Sequence, residues 1–133
     1  MWPEEDIPDD ASVYMRIHKN FISDGDFRPN AFRDQGGGMS VDWNKYSSPV
    51  ETRNRGKTPS DNAVIGMVAS EIRKIDALAV KHTPIQENSF DEGGNRLKPN
   101  RAHSEVIGEK TTEVRVKLSR IFAWQIRLDG QIA

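Results

Sequence analysis

The chain has no cysteine among its 133 residues. That excludes disulfides, thiolate metal sites and a cysteine nucleophile, and it is compatible with a reducing cytosol. No apolar run approaches the roughly 20 residues a membrane-spanning helix needs. The opening Met1-Trp2-Pro3-Glu4-Glu5-Asp6 is acidic and lacks the basic and then apolar regions of a secretory signal. The three histidines, His18, His82 and His103, have no His-x-x-x-His spacing, so no metal site is expected. Gly36-Gly37-Gly38 leads on without the lysine of a phosphate-cradling loop. Gly38-Met39-Ser40-Val41 does not supply a Gly-x-Ser-x-Gly nucleophile turn. No helix-turn-helix, zinc finger or aromatic RNA-binding strand is present, which leaves nucleic acid with little support. There are no internal repeats. The expectation is a cytoplasmic domain with no membrane partner and no cofactor.

What is present fits one domain, long enough to bury a core without staples. The formal net charge of −1 hides an asymmetry. Residues 1–12 hold five acids and no base, so the remainder carries +4. Residues 96–127 hold eight bases against three acids. A basic half suits an anionic ligand or an acidic partner, and the acidic lead reads as a tail that either crosses that surface or stays without structure.

Three short segments alternate in the manner of half-buried strands: 13–18, 39–43 and 102–107. Alternation points Val13, Met15 and Ile17 one way and Tyr14, Arg16 and His18 the other. It likewise sets Ser40 and Asp42 opposite Met39, Val41 and Trp43, and His103 together with Glu105. The apolar, β-branched run 63–69 reads as a central buried strand, 70–74 as one helical turn and 77–82 as a further strand. Ser48-Pro49-Val50-Glu51 predicts a short helix with Ser48 as N-cap, Pro49 at N1 and Glu51 closing a capping box. Thr111 or Thr112 caps a second helix predicted over 113–128, with Val114, Leu118, Ile121 and Phe122 as its apolar stripe and Glu113–Lys117 as an exposed pair. In the irregular stretch 19–38, Phe27 and Phe32 are expected to pin the chain to the core. Residues 85–101 read as a mobile loop. The fold class is α+β, a small mixed sheet of about five strands covered by the C-terminal amphipathic helix. Residues 1–12 form the tail and 13–133 the domain.

Several of these motifs recur in one order: Arg16-Ile17-His18, Ala31-Phe32-Arg33-Asp34, Met39-Ser40-Val41-Asp42, and Asn100-Arg101-Ala102-His103-Ser104-Glu105-Val106-Ile107-Gly108-Glu109-Lys110. In this the chain resembles an uncharacterised family of small bacterial proteins, to which no activity is attached. The chain departs from the pattern at Arg101, where proline is usual, and at Glu109, where lysine or arginine is usual. The resemblance implies a bacterial origin and an architecture.

The candidate chemistry lies on the polar strand faces. His103 and Glu105, about 7 Å apart along one strand, are the acid/base candidates. Arg16, His18 and Ser40 are candidates for holding a phosphate or nucleotide. Arg28 or Arg33 in the 19–38 stretch offers a further guanidinium fork, with Arg33 the candidate ligand. Arg16, Ser40 and Glu105 also follow the residue order of small ADP-ribosyltransferases, without the Ser-Thr-Ser or paired-Glu motifs. Two readings result. One is an accessory or interaction module of a bacterial multi-component system, working beside a protein partner rather than as a freestanding enzyme. The other is a small enzyme or binder acting on a nucleotide or other phosphate-bearing ligand. They diverge on one point: only the second requires Arg16, Ser40 and His103 to face a common cavity.

Overall fold

A computed structural model describes residues 1–133. Eight strands and three short α-helices alternate along the chain: β1 (Ser12–His18), β2 (Ile22–Ser23), β3 (Asp26–Phe27), β4 (Met39–Trp43), α1 (Pro49–Asn54), β5 (Asn62–Val68), α2 (Ala69–Arg73), β6 (Ala79–His82), β7 (His103–Ile107), α3 (Thr112–Leu118) and β8 (Phe122–Ile126). Six of the strands make one sheet in the order β6-β7-β4-β1-β5-β8, and β2 and β3 form a separate two-stranded ribbon. Every pairing in the main sheet is antiparallel. No helix is long and apolar enough to cross a membrane.

Register turns the sequence alternation into two sheet faces. Val13 lies opposite Trp43 and Met67, Met15 opposite Ile65, and Met39 opposite Val106. This face is apolar, and its side chains join Ile72, Leu78, Val114, Leu118 and Phe32 in one buried cluster. Burying each of the larger aliphatic side chains is worth roughly 1.5–3 kcal/mol. Phe27 and Phe32 meet edge to face within the same layer, at 5.5 Å between ring centres, and pin the 19–38 excursion as expected. The opposite face carries Tyr14, Arg16, Ser40, Asp42, Lys81, His103 and Glu105. There the cover is α1, which contacts β1, β5 and β8.

The capping box forms as predicted: Glu51 N donates to Ser48 Oγ at 3.1 Å, and Ser48 N donates to Glu51 Oε1 at 3.0 Å. Thr111 caps α3 by accepting from Val114 N, and Lys117 pairs with Glu113 at 3.2 Å and with Asp76.

Three expectations need correction. The helix predicted over 113–128 stops at Leu118, and Phe122–Ile126 is a sixth strand on the β5 edge. The helical spacing of Val114 and Leu118 is real, but Phe-Ala-Trp-Gln-Ile is aromatic and alternating. An available sheet edge satisfies its backbone and lets Phe122 and Trp124 pack on Phe27. The sheet thus has six strands rather than about five, is antiparallel throughout rather than mixed, and has no long C-terminal helix over it.

The acidic lead has no helix or strand, yet it is fastened along the β6 side rather than free. Glu5 N donates to His82 Nδ1, Arg73 donates to the Ile7 carbonyl and to Asp9, and Ile7 is buried. Residues 85–101 are likewise an anchored excursion. Ile85 and Asn100 exchange backbone bonds at its base, and Phe90 bridges Arg96 further out.

Candidate functional site

The polar sheet face floors a cavity of about 870 Å³. Arg16 and His18 reach it from β1, Ser40 and Asp42 from β4, and His103 from β7. Thr52 and Arg55 of the α1 region form one wall, and residues 90–92 and 96–100 supply the other. Arg33 and Phe21 close the end toward the 19–38 excursion. Five of the six candidate residues therefore line one space. Glu105 is the exception: it sits beside Ser40 in register but leans toward Gly37 and Gly38, outside the lining.

The floor is built on Asp42, whose side chain is 6 % exposed. Its Oδ2 accepts from Thr52 Oγ1 and from Arg55, each at 2.9 Å, and its Oδ1 accepts from Asn100 Nδ2 at 2.9 Å. Ser47 Oγ joins the same network through Thr52 and Arg55. Asn100 Oδ1 accepts from Ala102 N, so one carboxylate ties β4, α1 and the start of β7 together. No buried side-chain polar atom is left without a partner. A buried charge is tolerable only when paired and hydrogen-bonded in this way.

Arg16 stands beside this network. One guanidinium nitrogen donates to the Thr52 carbonyl at 3.0 Å, and the remaining donors have no protein partner. Its side chain is open to solvent at the mouth yet ringed by protein. Desolvation pulls its pKa below the ordinary arginine value; Asp42 opposes that shift and Arg55 adds to it. The group remains a cation with free donors for an anion. Space next to it is kept by Gly56, where a Cβ would come within 2.7 Å of Asn62 Nδ2 and 3.2 Å of Arg16 Cδ. Arg33 makes no hydrogen bond and is held by its guanidinium over the Phe21 ring at 5.0 Å. Burial pushes the Tyr14 hydroxyl pKa up, so it faces the cavity as a neutral donor.

His103 is oriented from both ends. Its Nδ1 lies 2.8 Å from the Thr83 carbonyl, and Thr83 N donates back to the His103 carbonyl. A carbonyl can only accept, so Nδ1 carries the proton and Nε2 presents a lone pair. That lone pair faces Ser40 Oγ at 3.3 Å. The partner of His103 is thus Ser40 and not Glu105, and the expected His103–Glu105 acid/base pair is not assembled. His18 also departs from expectation. Its Nδ1 accepts from Asn20 N as the cap of the 19–21 turn, and its Nε2 faces Asp61 at 4.0 Å. His82 serves structure: it is buried against Trp43, accepts from Glu5 N and donates to the Arg101 carbonyl. No three histidine, aspartate or glutamate side chains converge as a metal site.

Sequence reasoning did not assign roles to Asp42, Thr52, Arg55, Asn100 or Phe90. Asp42 carried a readable signal, an acid between the buried Val41 and Trp43 of one strand. The others are brought in by α1 and the 85–101 excursion, whose approach no local spacing encodes. Comparison of the chain with protein-family models, curated proteins and solved structures finds no match. What the cavity can do follows from its own side chains.

Proposed function

We propose that this cavity receives a small phosphate-bearing organic anion of nucleotide size. Arg16 carries the reading: a guanidinium with unpaired donors, aimed into a concave space from a central strand. Five cations (Arg16, Arg33, Arg55, Arg96, Lys98) line the space against three acids, and one of those acids, Asp42, is already paired with Arg55. The surplus is positive, and it suits a phosphate in bidentate contact with arginine. Ser40 and Tyr14 add neutral donors. Phe90 is 59 % exposed at the rim and offers an aromatic surface to a planar ring. The volume lies within the usual range for small-ligand sites.

The interaction-module reading has less to support it. The eight bases of 96–127 do not share one face. Lys110 is buried against Asp34 and backbone carbonyls, Arg115 donates to the Phe32 carbonyl, and Arg101 and Arg127 lie over Tyr46 and Trp124. The exposed large apolar side chains Met1, Val50, Val68, Phe90 and Ile132 come from five separate segments.

A thermal-shift series with inorganic phosphate, pyrophosphate, nucleoside mono- and diphosphates and sugar phosphates tests the proposal. A ligand at about 100 times its dissociation constant adds roughly 2.7 kcal/mol, a rise of several degrees for a domain this size. The expected result is a rise that Arg16→Ala weakens by at least about tenfold in affinity, since a charge-assisted bond is worth roughly 1.5–3 kcal/mol. A flat response across the series, or one indifferent to Arg16→Ala, overturns it.

A further inference from the structure

The second chemical feature of the cavity is the contact between Ser40 and His103. We propose, resting on the phosphate-ligand reading above, that Ser40 is a nucleophile with His103 as its general base, and that the cavity cleaves a phosphate ester rather than only holding one.

The geometry has the three parts such a pair needs. The hydroxyl sits 3.3 Å from the imidazole Nε2. The base is oriented by a third group, the Thr83 carbonyl at 2.8 Å, which leaves the lone pair on the serine side. Both residues stand on paired interior strands, β4 and β7, and both line the cavity. Other serine and threonine hydroxyls nearby have structural work. Thr52 donates to Asp42, Ser104 donates to the Ala102 carbonyl, and Ser48 caps α1. Ser40 instead ends on an imidazole and opens to the space that Arg16 faces. Contacts of this kind are often long before substrate binds.

The chemistry closes on water alone. Ser40 Oγ attacks phosphorus while the bond from phosphorus to the ester oxygen breaks, and the serine proton passes to His103 Nε2. The imidazolium gives that proton to the departing alcohol oxygen. Water then attacks the phosphoserine, its proton goes to Nε2, and Ser40 leaves phosphorus and regains a proton from the imidazolium. The net reaction converts a phosphate ester and water into an alcohol and phosphate. Arg16 donors neutralise the non-bridging oxygens as charge accumulates.

The test uses the full chain and two probes. Diisopropyl fluorophosphate reports an activated serine by forming a serine–phosphorus bond with loss of fluoride. p-Nitrophenyl phosphate, which yields p-nitrophenol and phosphate, reports turnover. The expected result is one adduct, mapped to Ser40, absent from Ser40→Ala and formed at least about 100-fold more slowly in His103→Gln. Turnover falls in the same variants and in Arg16→Ala. The wild-type pH profile reads the same point without a variant: labelling follows a single ionisation with the neutral imidazole active. No adduct at Ser40 while a phosphate compound still stabilises the protein overturns the catalytic proposal and leaves the binding site standing. Equal labelling in a folded His103→Gln, or a flat pH profile, overturns it as well. Labelling at Ser40 with no binding of any phosphate compound overturns the phosphate-ester substrate. Absence of both labelling and binding removes the two proposals together.

Discussion

Asp42 is the residue on which the floor of the cavity depends. Replacing it with alanine strands the buried Asn100 Nδ2, removes the carboxylate facing the half-buried Arg55 and unlocks the buried Thr52. Removing one member of a buried, hydrogen-bonded ion pair costs about 3 kcal/mol or more. Asp42→Ala should therefore lower the thermal midpoint by roughly 10 °C, measured by circular dichroism. A loss of only a degree or two would mean that the network holds nothing together. Single residues were legible where alternation alone decided their direction. Arg16, Ser40 and His103 sit on the polar face because each occupies an odd step from a buried neighbour. Pairing was less legible. His103 meets Ser40 diagonally across two strands, and His18 is taken by the Asn20 amide of its own turn. Hydrogen-bond choice depends on which carbonyls and amides arrive nearby, and spacing does not encode that.

At the scale of elements, α1 is short and yet positions the cavity wall. Its six residues are too few to be stable alone, so the capping box and the Thr52–Asp42 bond hold it on the sheet. Ser48→Ala removes the acceptor for Glu51 N and should cost about 1 kcal/mol. It should also weaken phosphate binding, because the Thr52 carbonyl that fixes Arg16 moves with the helix. Denaturant unfolding and the thermal-shift titration measure the two effects; an unchanged affinity at reduced stability would detach α1 from the site. The capping box was readable because its pattern is local. The end of α3 was not: Val114, Leu118, Ile121 and Phe122 fit a helical stripe, and only the open β5 edge makes 122–126 a strand. The 85–101 excursion looked structureless for the opposite reason. Its order comes from backbone bonds between Ile85 and Asn100, far apart in sequence and without a telling side chain.

Across the whole molecule, charge is distributed to fasten segments rather than to form opposed halves. The acidic lead meets Lys45, Tyr46 and Arg73, none of them in the basic stretch 96–127. Hydrogen bonds from Lys45 and then Tyr46 hold the Glu5 carboxyl below its ordinary pKa. A depressed folded-state value means that this contact is fully present above the ordinary glutamate pKa. It is lost as pH falls through the folded value. Glu5 should therefore titrate below the ordinary glutamate range by carboxyl-carbon NMR, and Glu5→Gln should flatten the acid limb of the stability profile. A midpoint at the ordinary value would show the lead to be unattached in solution. The lead's attachment was hidden because its anchors, His82, Lys45 and Arg73, are spread over the chain.

In the proposed function, one cavity on the polar sheet face takes a phosphate-bearing ligand through Arg16. The most direct measurement is a nitrogen-15 NMR titration of the full chain with the best-stabilising phosphate compound from the thermal-shift series. Saturable shifts concentrated at Arg16, Arg33, Ser40, Phe90 and His103 are expected, and they should be lost in Arg16→Ala. Shifts centred on another surface, or none up to millimolar ligand, would contradict it.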